Sequence, residues 1–378
     1  QPQQTSFLTA YYTANSSAAV FAGLKDRQLF ADRLFFSPIF GLTWNRDQRF
    51  YGELFERQGL GGSGSNESSP EDFISGEGTD SYANLPFRYL LPIGAGSGDP
   101  IHTYDTTQGI LTNGATNGRH WNPLTGGRTF LELMPFYQLR SIDATDENIN
   151  QFPPSISVGD SPDTATNGIV LMLEYDNRDF PVNPVRGSHT KLKFTRDFGW
   201  FDSETSWSAL EANFAKYLGF GSSRFFEQHV LALNAWTAYV PTWEVRPIGN
   251  GIFEIEHRPP SNLGATLGGA TRLRAFPRGR YNDKAAVYYS AEFRVIPRWN
   301  PLAKWPVIRK WPWRWWQWVA FGELGRVAPT WNFSTLHEDM RWDFGVGARA
   351  MIGGGVMRID YAVSEETNQA VVYIGQTF

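Results

Sequence analysis

The chain has 378 residues, with 38 acidic and 34 basic side chains and a net charge of −4, which argues against nucleic-acid binding because that needs a basic surface. It contains no cysteine, which excludes a disulfide framework, a thiolate nucleophile and a zinc-thiolate site. Aromatic residues make up 15% and charged residues only 19%, but the mean hydropathy of −0.37 and the absence of a long apolar run exclude membrane-spanning helices.

The chain begins at Gln1 without the basic stretch and apolar core of a signal peptide, so we expect either that a leader has been removed or that the sequence starts after it. Segment 59–81 is rich in Gly and Ser and is predicted to be a loop or insert, and segment 99–127 is also loop-like. Strands are predicted in the first 168 residues at 5–12, 18–24, 33–44, 50–57, 85–93 and 129–140.

Alternation is clearest near the end of the chain. In 341–351, Trp342 and Phe344 fall on one side of the predicted strand, whereas Asp343 and Arg349 fall on the other. The lengths of these segments suit tilted strands that cross a bilayer, which need about 9–11 residues. The same period of two predicts further strands at 169–176, 188–196, 206–217, 228–240, 284–295, 316–327, 356–363 and 370–378.

A soluble β-sandwich would also alternate, but two features argue against it. The connections are very unequal, since 353–355 is a tight turn and 241–283 is a long loop. A dry sandwich core does not tolerate many unpaired charges, whereas a water-filled lumen does. The polar face carries Glu174, Lys191, Lys193, Glu211, Arg349, Arg358 and Asp360. We therefore predict an all-β fold, a transmembrane antiparallel β-barrel of about 16 strands that uses residues 1–378 as a single domain.

Four stretches follow one another in the order of a known family. They are 175–187 (YDNRDFPVNPVRG), 273–276 (LRAF), the pair 290–297 (SAEFRVIP) and 321–327 (FGELGRV), and 373–378 (YIGQTF). Together they resemble the barrel of the BamA superfamily, the bacterial surface antigen family of outer-membrane insertases and translocases. The resemblance covers 169–378 well and 1–168 loosely, and Ala275 replaces the family's glycine while Glu323 stands where aspartate is commoner.

The resemblance implies a non-enzymatic barrel in the outer membrane of a Gram-negative bacterium. Such a protein inserts or translocates protein, or lipid, and is expected to work with a partner. The long loop 241–283 is then expected to fold into the lumen and plug it. Family insertases carry periplasmic POTRA repeats, and residues 1–30 lack the helical periodicity of such a repeat. Either a barrel-only, POTRA-less member or a chain from which these repeats were removed is expected.

Arg274 is the first candidate functional residue. A buried guanidinium needs partners, and its fork of donors can bind two carboxylates. The resemblance implies that Arg274, with Phe276 beside it, meets the inward-facing Glu292 and Glu323 and locks the loop in the lumen. The sequence is equally compatible with a lock that takes part in transport and with one that only holds the loop in place.

The two ends of the chain form the second candidate site. In the resembled family the first and last strands pair weakly, so that the barrel can open between them for a client strand. Here these strands are 5–12 and 370–378. The resemblance assigns Tyr373, Gly375 and Phe378 to the terminal β-signal.

The third candidate site is a tryptophan-rich segment, 298–318, which is predicted to be a turn on the periplasmic side. Tryptophan and basic residues together favour the lipid headgroup region. The segment is therefore predicted to be an interfacial collar or, as the sharper hypothesis, a foot that binds anionic lipid. The residues proposed for this foot are Trp305, Arg309, Lys310, Trp313, Arg314 and Trp316.

Other functional classes have weaker support. The six histidines form no HExxH motif and there is no GxSxG motif, so no enzyme is predicted, although a loop-borne lipid or peptide hydrolase stays the least favoured alternative. Segment 159–168 is acidic but lacks calcium-loop spacing, so neither metal nor cofactor is expected. A plugged passive channel or a scaffold for a partner is the main alternative. The expected partners are phospholipid, lipopolysaccharide and a client or partner protein, with no nucleic acid.

Overall fold

The computed structural model describes most of the chain and shows an almost entirely β-structured protein. The residues described are 5–12, 17–25, 27–29, 33–51, 65–71, 73–91, 127–146, 163–201, 203, 206–249, 252–260, 262–299, 313–352, 355–374 and 376–378. Among these residues, no helix has both the length and the apolar character needed to cross a membrane.

Among the described residues, the strands follow one another along the chain with a single short helix. The first half contains β1 (Thr5–Tyr12), β2 (Ala18–Lys25), β3 (Arg27–Gln28), β4 (Leu34–Phe36), β5 (Ile39–Phe50), β6 (Ile74–Asn84), β7 (Phe87–Leu90), β8 (Arg128–Asp143), β9 (Asp163–Asp176) and β10 (Gly187–Asp197). The second half contains β11 (Ser208–Gly221), β12 (Phe226–Tyr239), β13 (Glu244–Gly249), β14 (Ile252–Glu256), β15 (Thr266–Leu267), β16 (Tyr281–Asn282), β17 (Ala285–Pro297), β18 (Trp313–Ala328), α1 (Phe333–Leu336), β19 (Arg341–Ile352), β20 (Gly355–Ser364) and β21 (Asn368–Ile374).

One antiparallel sheet of 17 strand segments contains all strands except the two small pairs β13–β14 and β15–β16. Three segments continue an earlier one across a break: β3 continues β2, β5 continues β4, and β7 continues β6. Bridging these three breaks leaves fourteen strands in the part of the chain that the structure describes, each paired with the next along the chain. The predicted number of strands, about 16, lies between the 17 strand segments and the fourteen continuous strands. The predicted class, an all-β transmembrane antiparallel barrel, is confirmed.

The two faces of the sheet have opposite character. Large apolar side chains point outward and stay exposed, for example Leu192 at 52%, Phe344 at 55% and Ile359 at 54%. Their sequence neighbours point inward, and Arg349 and Arg358 are fully buried there. This alternation fits lipid outside and charged side chains inside, which explains how an aromatic-rich chain has a negative mean hydropathy.

The segment between β12 and β17 carries β13 to β16, and its second part, with β15 and β16, packs into the lumen. An apolar cluster forms where this segment contacts the inward faces of the wall, and it includes Trp207, Trp236, Leu267, Leu273, Phe276, Tyr281 and Phe321. The loop is thus packed like a protein core, and its position is set by apolar burial as well as by charge.

Several predicted boundaries change. Strand β6 begins at Ile74, inside the segment 59–81 that was predicted to be a loop. Of the predicted strand 50–57, only Phe50 belongs to a strand, Tyr51 lies in a bend, and 52–57 lie outside the described residues. The sequence of β6, ISGEGTDSYAN, has no alternating apolar set, which is why its pattern indicated a loop. Strand β18 begins at Trp313 and so takes up the end of the predicted turn 298–318.

Candidate functional site

The loop between β15 and β16 carries the predicted arginine into the lumen. Gly268 has a φ of 104°, and a Cβ there would lie 2.2 Å from the carbonyl oxygen of Pro277, so only glycine fits. Leu273 has a φ of 52°, which is uncommon for a residue with a side chain. Ala275 is not among the residues with positive φ, so the alanine is compatible with this loop without strain.

Arg274 is fully buried and binds three carboxylates. Its Nε donates to Glu323 at 3.0 Å, one Nη lies 3.0 Å from Glu292, and the other donates to Asp360 at 2.6 Å. The guanidinium carbon also lies 3.4 Å from the centre of the Phe321 ring. The structure therefore brings together Arg274, Glu292 and Glu323, and it adds Asp360.

The charges around Arg274 form a wider network. Glu292 also binds Arg294 at 2.6 Å and Arg349 at 2.7 Å, while the backbone N–H of Ala275 donates to Asp343 at 2.9 Å. Sequence reasoning did not connect Arg294, Arg349 or Asp343 with the loop. The alternation of side chains along each strand could have indicated them, because each lies on the same inward face as a carboxylate or arginine that was already named.

Phe276 supports the same loop by packing. Its side chain is fully buried, and its ring centre lies 5.3 Å from that of Tyr281 in an edge-to-face arrangement. Tyr281 in turn donates to Glu366 at 2.7 Å. The apolar side of the loop is thus tied to the connection that follows β20.

The last residues of the chain turn into the lumen and do not extend strand β21. The predicted strand 370–378 ends at Ile374, and Gly375 lies outside the described residues. Thr377 donates to Glu292 at 2.9 Å, and the Phe378 ring centre lies 5.1 Å from the guanidinium carbon of Arg294. This segment leaves the sheet because its polar groups find partners in the buried network.

The first and last strands each have one paired side. Strand β1 pairs with β2, and β21 pairs with β20. In the part of the chain that the structure describes, no backbone ladder joins β1 to β21. Tyr373 on β21 is the register partner of Arg358 on β20, so its side chain faces the lumen. That side chain is nevertheless 43% exposed.

The predicted foot is only partly within the described residues. Trp305, Arg309 and Lys310 lie outside them, and of Trp313 and Arg314 only the backbone, in β18, is described. Trp316 is buried among tryptophans: its Nε1 donates to the carbonyl of Trp299 at 3.1 Å, and its ring lies 4.9 Å from that of Trp318. The rings of Trp299, Trp316 and Trp318 thus pack against one another, with Trp316 and Trp318 on the outward face of β18.

The turn that joins β9 to β10 is organised by two aspartates. Arg178 donates to both carboxylate oxygens of Asp176 at 2.9 Å. Asp179 accepts backbone N–H groups of Phe180 and Val185, both at 2.9 Å. Burial raises the pKa of the Asp179 carboxyl although these donors favour its charged form.

Glu174, Asp176 and His189 are the only described residues whose side chains cluster closely enough to hold a metal ion. Their donor atoms already have partners, since His189 Nε2 lies 2.6 Å from Glu174 and Asp176 binds Arg178. Arg88 also binds Glu174. Arginines so close to both carboxylates repel a cation, so the group is better described as a buried ion-pair network.

Comparisons with known proteins complete the description of this site. A family model described as the Omp85 superfamily domain matches residues 134–378. Among solved structures, the chain is similar to the crystal structure of BamA from Haemophilus ducreyi lacking POTRA domains 1-3, with 13% sequence identity and a TM-score of 0.48. That similarity covers 95% of this chain and 61% of the BamA chain, so this chain spans less than two thirds of it. No curated protein matches the sequence.

Proposed function

The chain belongs to the Omp85 superfamily, and on this premise we propose that it is an outer-membrane barrel that inserts or translocates protein, or lipid, without enzymatic chemistry. A partner protein supplies or receives the client, and phospholipid and lipopolysaccharide surround the outward face. The observation that carries the proposal is a loop clamped in the lumen by Arg274 beside a sheet whose first and last strands each pair on one side among the described residues.

The free sides of β1 and β21 give the physical reason. An unpaired strand edge presents a row of N–H and C=O groups, and each such group costs several kcal/mol in lipid. The edge is therefore satisfied either by its opposite edge or by an added strand, as in β-augmentation. A barrel with such a seam can accept a client strand, with Tyr373 of β21 close to the opening.

In this proposal the Arg274 lock keeps the lumen closed and the wall in shape while the seam exchanges partners. The loop contacts strands β17, β18, β19 and β20, and the last of these, β20, pairs with β21. The lock then has a role in transport as well as in stability. The outward tryptophans Trp299, Trp316 and Trp318 form the collar that holds this side of the barrel at the membrane surface.

A designed disulfide across the seam tests the mechanism. Cysteine pairs that scan 5–12 against 368–374 are to be oxidised in membranes, and insertion or translocation of a client is to be measured before and after reduction. We expect activity to be lost on oxidation and restored by reductant. The matched control joins Ile359 to Val372, which are already register partners on β20 and β21, and should keep full activity. Full activity with a closed seam would reject the proposal.

A plugged channel is the second candidate, and the packed loop favours it specifically. The second part of the segment between β12 and β17 packs into the lumen with an apolar core, so the barrel conducts poorly while the loop is in place. A strong rise in single-channel conductance after deletion of 241–283 is expected for a plugged pore. A variant that conducts no better than the parent would contradict the hypothesis of a plugged channel.

A further inference from the structure

We propose that a groove on the outward face of strands β12, β17, β18 and β19 binds one hydrocarbon chain of a lipid in the outer leaflet of the membrane. The groove has a volume of about 640 Å³. Its floor is formed by Ala291 and Gly322, and its two sides by Leu233 and Phe344. The site does not depend on the insertion or translocation of a client.

Strand register explains why a groove forms at this place. Leu233 on β12 is the register partner of Ala291 on β17, Ala291 is the partner of Gly322 on β18, and Gly322 is the partner of Phe344 on β19. Register partners point to the same face of a sheet. Two small residues therefore lie between two large ones, of which Leu233 is 37% and Phe344 is 55% exposed.

The space above Gly322 is open. Apart from its chain neighbours, a Cβ built on this glycine would have only the backbone oxygen of Asp343 within reach, at 4.0 Å. Most other glycines that are paired in the sheet have closer neighbours: a Cβ at Gly345 would lie 2.2 Å from the backbone oxygen of Tyr361. The outward face thus has room at Gly322 for atoms that do not belong to this chain.

The groove offers an apolar surface, because the polar side chains of these strands point the other way. Glu323 binds Arg274 in the lumen, and the residues in register with Glu323 share its inward face. These residues are Asn234, Ser290 and Asp343, and all three are buried. They border the groove with their backbone only, so the groove suits a ligand without hydrogen-bonding groups.

The depth of the groove places it in the outer half of the membrane. Ala291 is the middle residue of β17, whereas Trp342, which also borders the groove, is the second residue of β19. The tight connection from Ile352 to Gly355 lies at the other end of β19. Short turns of such barrels are periplasmic and long loops are external, so the groove extends from the middle of the wall to its outer end.

The outer end of the groove is bounded by helix α1 and by aromatic side chains. Leu336 of α1 packs in an apolar cluster with Val287 on the outward face of β17. The hydroxyl group of Tyr289, which borders the groove, lies 2.8 Å from His337 Nε2. Trp342 lies at the strand end, where an indole favours the headgroup region. A lipid chain can therefore enter beside Trp342 and run inward over Gly322.

The width of the groove favours a hydrocarbon chain over a protein partner. Strands β12 and β19 are three strand spacings apart, about 14 Å at about 4.8 Å each. Leu233 and Phe344 take up part of this gap, so the space that remains is narrower than an α-helix, which is about 10–12 Å across. The groove is also continuous with the exposed apolar face of the barrel, which is its interface with lipid.

Van der Waals contact gives the energetic reason for occupancy. An unfilled groove forfeits contacts on one side of every atom that lines it, and hydrocarbon is the medium that surrounds this depth of the wall. A chain inside the groove touches a floor and two sides, whereas a chain on the remaining outward face touches one surface. The groove should therefore hold its chain longer than the neighbouring surface does.

Photocrosslinking of the purified full chain in lipid nanodiscs tests the proposal. The probe is a phospholipid with a photoreactive diazirine in its acyl chain, and the crosslinked residues are located by peptide mass spectrometry. We expect crosslinks at Leu233, Tyr289 and Phe344 to be at least about fivefold more frequent than at exposed apolar residues of the other strands, as a preference of about 1 kcal/mol gives.

Filling the groove should remove this preference. Ala291→Leu and Gly322→Leu place a side chain on the floor, and we expect both to reduce the crosslinks at Leu233 and Phe344 to the level of the remaining face. The matched control is Ala22→Leu on β2, whose register partner Phe40 is 49% exposed on the outward face. It makes the same change away from the groove and should leave these crosslinks at the parent level.

Three outcomes would overturn the proposal. The first is an even distribution of crosslinks over the outward face of the parent, which needs no variant to fold. The second is parent-like crosslinking by the double variant of Ala291 and Gly322, with heat-modifiable gel migration showing that it is folded. The third uses Gly322→Cys, which introduces the sole cysteine of the chain. Disulfide-linked dimers of this variant in membranes would identify a second copy as the occupant.

Discussion

The two sides of this barrel are held together differently. In the wall from β17 to β20, four successive strands each contribute an inward carboxylate to the loop: Glu292, Glu323, Asp343 and Asp360. In the described residues of the wall from β2 to β7, no carboxylate forms an ion pair with Arg274. This wall is also divided by three breaks. The difference shows that stability here depends on the inserted loop as well as on strand pairing.

Prolines explain two of the three breaks in the second wall. Pro38 separates β4 from β5, and Pro86 separates β6 from β7. Their carbonyl groups still accept hydrogen bonds, from Leu24 at 3.0 Å and Ser37 at 3.1 Å, but a proline nitrogen cannot donate in return. Each break thus removes half of a ladder pair, and the strands on both sides can bend independently.

Removing the central arginine should have the largest effect on this comparison. Arg274→Ala leaves Glu292, Glu323 and Asp360 without their shared partner, and we expect a loss of about 3–5 kcal/mol in the free energy of unfolding. The loop should also become sensitive to protease. Denaturant unfolding in lipid vesicles and limited proteolysis measure the two effects.

The control for that variant is Arg246→Ala, which breaks surface ion pairs with Glu244 and Glu256 in the same segment and should cost less than about 1 kcal/mol. A variant at Arg274 that unfolds like the parent and protects its loop would show that the loop is held by its apolar core alone.

Glu292→Gln should have the next largest effect. It removes the charge that Arg294 and Arg349 share with Arg274, while the amide keeps the size of the side chain and part of its hydrogen bonding. We expect a loss of about 2 kcal/mol, because buried cations lose a charged partner without creating a cavity. Thermal unfolding followed by gel migration measures it, and an unchanged midpoint would mean that Asp360 alone satisfies these arginines.

Pro86→Val tests the other wall and should have a smaller effect. The new N–H can donate to Ser37, completing the ladder pair, but valine also gives the unfolded chain more freedom. We expect the free energy of unfolding to change by less than about 1 kcal/mol, while amide exchange slows around Ser37 and Phe87. Unchanged exchange there would show that something other than the missing donor causes the break.

The last prediction concerns pH and a single carboxyl group at the end of the loop. Burial raises the pKa of Asp283, just before β17, to about 6, although the backbone N–H of Lys284 donates to it at 2.7 Å. Because the folded protein then binds this proton more tightly than the unfolded chain, stability from this group rises as the pH falls from about 7 to about 4. Asp283→Asn should remove this rise, and equal pH profiles for the two proteins would contradict the assignment.

Much of the second half of this fold could be predicted from the sequence. Alternation in 341–351 placed Phe344 outside and Arg349 inside, as the structure has them. Strand β6 could not be predicted, because its lumen face needs only small and polar residues next to the loop and so carries no apolar period. The breaks at Pro38 and Pro86 had a signal, the missing donor, but it is weaker than the surrounding strand pattern.

The candidate site was predictable in part, and for a different reason. The meeting of Arg274 with Glu292 and Glu323 followed from resemblance, since nothing local in the sequence relates residues so far apart. Asp360 could be placed on the inward face by parity but not in contact with Arg274. The inward turn of Thr377 depends on a buried network that exists only after folding, so no local pattern could indicate it.

The meeting of four strands at one loop makes the network a check on strand register. A slip of one residue in any of the ladders between β17 and β20 would turn its carboxylate from the lumen to the lipid. The loop could then satisfy only part of its donors, so a misaligned wall would lack its most buried contacts. The complete set of contacts around Arg274 therefore forms only when all four strands are paired in their correct register.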